Sequence, residues 1–122
     1  MQVLVLNGVN LNVLGRRDPA IYGGLSLNEL ESRIYSWAHD LDISARCRQT
    51  NSEGEYIGWI HDAGGLAFWA HPFWDVAAPG EVLAAIDRFR GAGLDGVEAF
   101  YVTHDAEQTL LLLSDFLLRK QP

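Results

Sequence analysis

Residues 62–72 read DAGGLAFWAHP, and this stretch decides how the two halves of the chain are joined. Gly64 and Gly65 are typical of a helix end, because glycine readily adopts the left-handed backbone that terminates helices. The apolar run at 66–70 predicts a strand, and its lack of alternation predicts a sheet covered on both faces. His71 follows this strand at its carboxyl end, where functional groups collect in parallel α/β folds.

Two β-α units are predicted on the amino-terminal side of this stretch. Residues 2–6 form an apolar run that predicts a buried strand, and residues 43–49 alternate in the manner of a half-buried edge strand. Ser26, with Glu29 three residues later, is a capping-box pattern and predicts a helix over 26–41. A second helix then leads into the glycine pair.

Two more units are predicted on the carboxyl-terminal side. Pro79 opens a third helix, residues 96–102 (GVEAFYV) predict the fourth strand, and Asp105 caps a last helix that runs to about Arg119. Residues 110–113 of that helix are four consecutive leucines. Four consecutive positions cover the whole circumference of a helix, which indicates a buried or dimerising helix, or a redesigned one.

The order of elements is therefore β-α-β-α-β-α-β-α, which predicts one α/β domain over 1–122 with right-handed crossovers. We expect a four-stranded parallel sheet with strand order 2-1-3-4 in a flavodoxin-like three-layer αβα sandwich. The order reverses direction between strands 1 and 3, so a crevice is expected at their carboxyl ends.

Composition limits the classes of function. The chain has 122 residues, 48% hydrophobic and 20% charged, which is typical of a globular protein. The net charge of -7 argues against binding to nucleic acid or to an anionic membrane, because both need a basic surface. The single cysteine, Cys47, excludes an internal disulfide. No cofactor is expected, and the chain is predicted to be a monomer or a homodimer.

A long loop follows the first strand. This loop, residues 7–24, reads NGVNLNVLGRRDPAIYGG, and residues 48–63 read RQTNSEGEYIGWIHDA. These residues resemble type II 3-dehydroquinate dehydratases, and the resemblance covers residues 1–63. Val9 departs from the pattern, since the family usually has proline there, which would make the loop more rigid.

The resemblance implies roles for three residues of this loop. Tyr22 matches the base that removes a proton next to the substrate ketone, and Arg17 matches the arginine beside it. A tyrosine ordinarily ionises near pH ~10, so a neighbouring cation must stabilise its phenolate at neutral pH. Asn10 matches an asparagine that helps to hold water near the developing enolate. The loop and the start of the first helix are also candidates to bind small anions.

Two further segments of that family do not occur in this sequence: the N-P/A-G-G-x-T-H segment that binds substrate, and the H-[LIV]-S-N segment that supplies the general acid.

Residues 62–109 instead resemble the PHP family of polymerase and histidinol phosphatase domains, which are distorted α/β barrels that hydrolyse phosphoesters with a metal cluster. The matching segments are DAGGLAFWAHP at 62–72, EVLAAIDRFRGAGLDGVEAFY at 81–101 and THDAEQT at 103–109.

This second resemblance implies a metal ligand at His71 and a residue near the substrate at His104. The H-x-H and D-x-H ligand pairs of that family are missing, so no metal site is expected. Two alternatives remain: partly exposed loop histidines, or a weak Zn²⁺, Ni²⁺ or Cu²⁺ site formed by His71, His104, Asp75 and Asp105. Glu98, inside the predicted fourth strand, must find partners or have its pKa raised.

Two families that meet after Ala63 indicate an engineered chimera, with a dehydratase-like fragment over 1–63 and a PHP-like fragment over 64–122. Such a chain is predicted to have no natural catalytic function. The alternatives are a residual dehydratase-like lyase that uses Tyr22 and Arg17, and a small-anion binder that uses the same loop.

Overall fold

The computed structural model describes residues 1–74 and 76–118, apart from the side chain of Phe116. The chain divides into two compact units, Met1–Tyr56 and the part from Ile57 on. The prediction of one domain over 1–122 stays a prediction. Within the described residues, every helix is too short or too polar to cross a bilayer.

The predicted alternation of strands and helices is confirmed. The first unit contains β1 (Gln2–Asn7), a 3₁₀ helix (Leu11–Arg16), α1 (Pro19–Tyr22), α2 (Leu27–Asp40) and β2 (Ser44–Gln49). Next, α3 (Glu53–Asp62) leads into the second unit, which contains β3 (Phe68–Trp69), α4 (Pro79–Gly91), β4 (Gly96–Val97) and α5 (Ala106–Leu118). The long loop of the prediction thus contains two short helices.

In the first unit, α2 begins as the sequence predicts. The Ser26 hydroxyl accepts a hydrogen bond from the Glu29 backbone N–H at 3.3 Å, and the Glu29 carboxylate accepts one from the Ser26 backbone N–H at 2.7 Å. Both groups would otherwise lack partners at a helix start. The helix packs against β2, and the Tyr35 hydroxyl accepts a hydrogen bond from the Cys47 backbone N–H at 3.0 Å. This contact satisfies a donor on the edge strand of the sheet.

The second unit has a small apolar core. Val82, Ile86 and Leu112 are fully buried and join α4 to α5. Six partly buried apolar residues pack around them: Trp69, Phe73, Val76, Leu83, Val97 and Ala99. This core accounts for the leucine run, because Leu112 is 0% exposed and Leu110 is 65% exposed. One face of α5 is therefore buried, as in an ordinary amphipathic helix.

The predicted four-stranded sheet with strand order 2-1-3-4 is wrong. The described strands form two separate parallel sheets of two strands each, β1–β2 and β3–β4. The first ladder has six residue pairs, from Gln2–Ser44 to Asn7–Gln49. The second has only two, Phe68–Gly96 and Trp69–Val97. The four-stranded sheet on which the predicted flavodoxin-like sandwich was based is thus replaced, in the described residues, by these two short ladders.

The short second ladder has a local cause at the end of each strand. β3 ends because His71 has a left-handed backbone, with φ 51, and Pro72 has no N–H to donate. Beyond β4, Phe100 is 76% and Val102 is 89% exposed, so the other residues do not cover these two positions at the end of the predicted strand over 96–102. An apolar run predicts burial only where the rest of the chain supplies a surface to cover it.

Candidate active site

The two long strands end at the same edge of their sheet. Asn7 is the last residue of β1 and pairs with Gln49, the last residue of β2. Because the strands are parallel, the segments that follow them leave the sheet side by side. The Thr50 backbone N–H donates to the Asn7 carbonyl at 3.2 Å, so this contact continues one residue beyond the ladder.

Asn10 lies in the segment after β1 and has a left-handed backbone, with φ 65 and ψ 4. It is the N-cap residue of the 3₁₀ helix, but its side chain makes no capping hydrogen bond. The backbone N–H of Asn10 donates to the Asn51 side-chain oxygen at 2.9 Å. The structure thus joins this predicted site residue to the segment after β2.

Arg17 and Tyr22 are brought together by α1. The Asp18 carboxylate caps this short helix by accepting a hydrogen bond from the Ala20 backbone N–H at 2.9 Å, and Pro19 occupies the first turn. Tyr22 is the last residue of α1, and the Arg17 guanidinium carbon lies 3.7 Å from the centre of its ring. At this distance, the Arg17 guanidinium and the Tyr22 ring make a close cation–π contact.

The resemblance assigns base chemistry to this pair. The Tyr22 side chain is 45% exposed, so a small molecule can reach it. Asn10 adds a side-chain amide within the same loop, since that amide is not used to cap the helix. The catalytic roles of all three residues stay predictions.

The start of α2, one of the candidate anion sites, already holds a carboxylate. The Glu29 side chain accepts hydrogen bonds from both the backbone N–H and the hydroxyl of Ser26, each at 2.7 Å. The hydrogen bond from the Ser26 backbone lowers the pKa of Glu29 below its ordinary value. An external anion would have to compete with this internal one.

In the second unit, His71 pairs with Glu98. One Glu98 oxygen accepts from the His71 backbone N–H at 3.0 Å and from the ring Nδ1–H at 2.6 Å. The backbone hydrogen bond and then the ring contact lower the pKa of Glu98. The carboxylate has therefore found partners, the first of the two outcomes that the sequence allowed.

His104 lies in the same aromatic cluster as His71. The His71 ring stacks on Tyr101 with the ring centres 4.0 Å apart, and the Tyr101 and His104 rings meet edge to face at 5.5 Å. The His104 Nδ1 lies 3.1 Å from the Ala99 carbonyl oxygen, a hydrogen bond that makes Nδ1 the protonated ring nitrogen. The metal-ligand role implied for His71 and the role near the substrate implied for His104 stay predictions.

The weak metal site would need further ligands beside these two histidines. In residues 1–74 and 76–118, no group of three or more His, Cys, Asp and Glu side chains is arranged to hold a metal ion. Asp75, one of the four residues considered for that site, lies outside the described residues. Asp105 instead caps α5, accepting a hydrogen bond from the Gln108 backbone N–H at 2.8 Å.

Gln49 and Asn51 were not predicted as parts of the first site. Gln49 donates from its side-chain nitrogen to the Asn51 oxygen at 2.9 Å and to the Gly8 carbonyl at 3.4 Å. A signal for them was present in the sequence, since polar residues lie at or just after the ends of both predicted strands, and parallel strands end at one edge of the sheet.

Comparison with known proteins places the chain in an enzyme family. The family model described as "Dehydroquinase class II" matches residues 1–70, and the chain belongs to this family. The 3-dehydroquinate dehydratase of Syntrophotalea carbinolica is 52% identical over 62 residues, which are 51% of this chain and 42% of that protein. The matched part is therefore less than half the length of that relative.

Solved structures match beyond the amino-terminal half. The type II dehydroquinase from Butyrivibrio crossotus covers 96% of this chain and 83% of its own, with a TM-score of 0.52 at 24% identity. The enzyme from Propionibacterium acnes covers 88% of this chain and 76% of its own, with a TM-score of 0.51 at 28% identity. The fold of the chain is thus similar to that of type II dehydroquinases.

These matches correct the prediction of an engineered chimera. The family match continues to residue 70, through the junction predicted after Ala63, and the structural matches extend over both halves. A second parent of the PHP family is not supported. The prediction that the chain has no natural catalytic function is also wrong, because the relatives that it matches are enzymes, named 3-dehydroquinate dehydratase and type II dehydroquinase.

Proposed function

We propose that the protein acts as a type II 3-dehydroquinate dehydratase, a lyase that removes water from 3-dehydroquinate to give 3-dehydroshikimate. The observation that carries this proposal is the contact between the Arg17 guanidinium and the Tyr22 ring, 3.7 Å from its centre. Both residues lie within the part of the chain that the family model matches. The contact unites a proton acceptor with the cation that it needs.

In the proposed reaction, the Tyr22 phenolate removes the proton next to the substrate ketone. Negative charge then moves onto the ketone oxygen, and the enolate forms. When the enolate collapses to the conjugated ketone, the C–O bond to the neighbouring hydroxyl group breaks, this group takes a proton from solvent and leaves as water, and Tyr22 returns its proton to solvent. A hydrogen-bond donor near that oxygen stabilises the developing charge. Asn10 can supply such a donor, directly or through water, because its amide lies in the same loop and does not cap the 3₁₀ helix.

The small anion predicted for the loop at 7–24 is, in this proposal, the substrate itself. 3-Dehydroquinate is a carboxylate, and the loop carries two consecutive arginines, Arg16 and Arg17. The start of α2 is a weaker candidate for binding the substrate carboxylate, since the Glu29 carboxylate already accepts hydrogen bonds from the backbone and hydroxyl of Ser26 there. Binding of the substrate near the arginines would therefore account for anion affinity without a separate site.

Tyr22→Phe tests the proposal, because this substitution removes the hydroxyl and keeps the ring under Arg17. We expect kcat to fall by about 100-fold or more, the scale of a lost general base. Two measurements separate the steps: exchange of the substrate proton in D₂O reports its removal, and 3-dehydroshikimate formation reports the whole reaction. Tyr35→Phe is the matched control, since this tyrosine lies on α2 outside the loop.

Arg17→Ala in the same assays tests the role of the cation. We expect proton exchange to slow by about tenfold to 100-fold, since a positive charge that stabilises the phenolate is lost. Arg33→Ala removes the same charge from an exposed position on α2, outside the loop, and is expected to slow proton exchange by less than about threefold. A wild-type protein without proton exchange, or a Tyr22→Phe variant as active as wild type, would contradict the proposed function.

A further inference from the structure

We infer that Asn51, oriented by Gln49, is a positioning residue that fixes the backbone of Asn10 and so aims the Asn10 side-chain amide in the proposed dehydration. This inference rests on the proposed function, because it assigns a task within that reaction. It concerns residues on the segment after β2, whereas Asn10, Arg17 and Tyr22 all lie between β1 and α2.

Asn10 needs an external support for its backbone. Its φ of 65 and ψ of 4 are left-handed values, which residues other than glycine rarely adopt and which asparagine tolerates better than most. A local hydrogen bond from its own side chain would be the usual support at a helix start, and this bond is absent. The side-chain amide is thereby left for another partner.

Asn51 supplies that support with its side-chain oxygen. This oxygen accepts two hydrogen bonds, from the Asn10 backbone N–H and from the Gln49 side-chain nitrogen, both at 2.9 Å. The same Gln49 side-chain nitrogen also donates a hydrogen bond to the Gly8 carbonyl at 3.4 Å. Gln49 thus bridges the two segments, and its donors determine that Asn51 presents an oxygen rather than its NH₂ group to Asn10.

Both supporting residues are themselves held by the sheet. Gln49 is the last ladder residue of β2, opposite Asn7. Thr50, which lies between Gln49 and Asn51, is 7% exposed, donates its N–H to the Asn7 carbonyl and accepts the Ser52 N–H on its hydroxyl at 3.0 Å. The orientation of Asn10 is therefore set by the ends of two paired strands.

The consequence for the reaction is geometric. The backbone of Asn10 determines where its side chain starts and the direction in which the 3₁₀ helix leads toward Arg17. Small displacements of groups that contact the reacting atoms can cost as much as 10²-fold in rate. Loss of the Asn51 oxygen should therefore lower kcat while the contact between Arg17 and Tyr22 remains.

The test compares Asn51→Ala, which removes the acceptor, with Asn51→Asp, which keeps an oxygen at the same place. We expect Asn51→Ala to lower kcat about tenfold to 100-fold with KM within about threefold. Asn51→Asp should remain within about threefold of wild type, and both variants should keep the wild-type melting temperature within about 3 °C. Asn28→Ala, on the exposed side of α2, is the matched control.

Backbone amide exchange of Asn10, measured by NMR, gives a readout that does not depend on activity. It should speed up by about tenfold in Asn51→Ala and remain at the wild-type rate in Asn51→Asp and Asn28→Ala. An unchanged kcat in Asn51→Ala, or an equal loss in Asn51→Ala and Asn51→Asp, overturns the inference. If the wild-type protein shows no turnover, the proposed function fails, and the exchange rate alone decides whether Asn51 holds Asn10.

Discussion

Asn10, Asp42 and His71 each combine a side chain with a positive φ, of 65, 52 and 51 respectively. Each residue lies where the chain changes direction: before the 3₁₀ helix, between α2 and β2, and after β3. Such conformations persist only where neighbouring groups hold them. Asn10 is held by Asn51, and His71 donates its N–H to Glu98. At Asn10 and His71, a left-handed backbone therefore coincides with a candidate site residue, whereas Asp42 is not such a candidate.

Gly64 permits a single-residue prediction about the end of α3. Its φ is 81, and the Gly64 N–H donates to the His61 carbonyl at 2.8 Å, so Gly64→Ala places a side chain in a left-handed conformation. We expect a loss of about 1–2 kcal/mol in the free energy of unfolding, measured with urea. Gly58→Ala in the same helix has open space around it and should instead gain about 0.5–1 kcal/mol. Equal effects of the two changes would contradict this account.

At the scale of elements, the helices were predicted better than the strands. Ser26 and Glu29 predicted the start of α2 because a capping box lies within four residues of sequence. The strand predicted over 96–102 shortened to Gly96–Val97 because its ladder depends on residues about 28 positions away, and only two pairs form there. A helix can be predicted from residues close together in the sequence, whereas the length of a strand also depends on the partner strand with which it forms hydrogen bonds.

The leucine run of α5 gives a prediction for one element. Leu112 is fully buried against α4, whereas Leu110, two positions earlier, is mostly exposed. Leu112→Ala should lower the free energy of unfolding by about 2–5 kcal/mol, because it leaves a cavity in a small core. Leu110→Ala should change it by no more than about 0.5 kcal/mol. A larger effect at Leu110 in thermal unfolding would indicate that this exposed leucine contacts another copy of the chain.

At the scale of the whole molecule, the net charge of -7 means that acidic side chains repel one another in the folded chain. The stability of the fold therefore depends on which carboxylates have hydrogen-bond partners. Within the second unit, one Asp95 oxygen accepts from the His61 ring and from the Ala67 backbone N–H, both at 2.8 Å. These hydrogen bonds, first from His61 and then from Ala67, lower the pKa of Asp95. The carboxylate thereby ties the end of α3 to the segments that lead into β3 and β4. The oligomeric state, monomer or homodimer, stays a prediction.

This pairing predicts a dependence of stability on pH. A carboxylate with a lowered pKa in the folded protein stabilises it fully above its unfolded pKa, near pH ~4, and this contribution is lost as the pH falls through the folded pKa. The free energy of unfolding of the wild type should therefore fall more steeply below pH ~4 than that of Asp95→Asn. Urea unfolding at several pH values measures this, and Asp62→Asn, at the exposed end of α3, should follow the wild type. Parallel curves for wild type and Asp95→Asn would refute it.

The sequence by itself determined the long helices α2 to α5, with the capping residues Ser26 and Asp105, and the loop that carries Asn10, Arg17 and Tyr22. Both depend on residues that lie close together in the chain, so their physical causes can be read from short segments. The family resemblance also placed Arg17 beside Tyr22, and their contact is local because the two residues lie only five positions apart in the chain.

Only the tertiary structure decided the division into two sheets, the burial of Leu112, the partners of Glu98 and the support of Asn10 by Asn51. It also removed the basis for a junction between two parents, since the fold of the chain is similar to that of one family over most of its length. Each of these outcomes depends on contacts between residues that lie more than 25 positions apart in the sequence. Such contacts depend on which surfaces the folded chain brings together, and a pattern confined to a few residues does not contain that information.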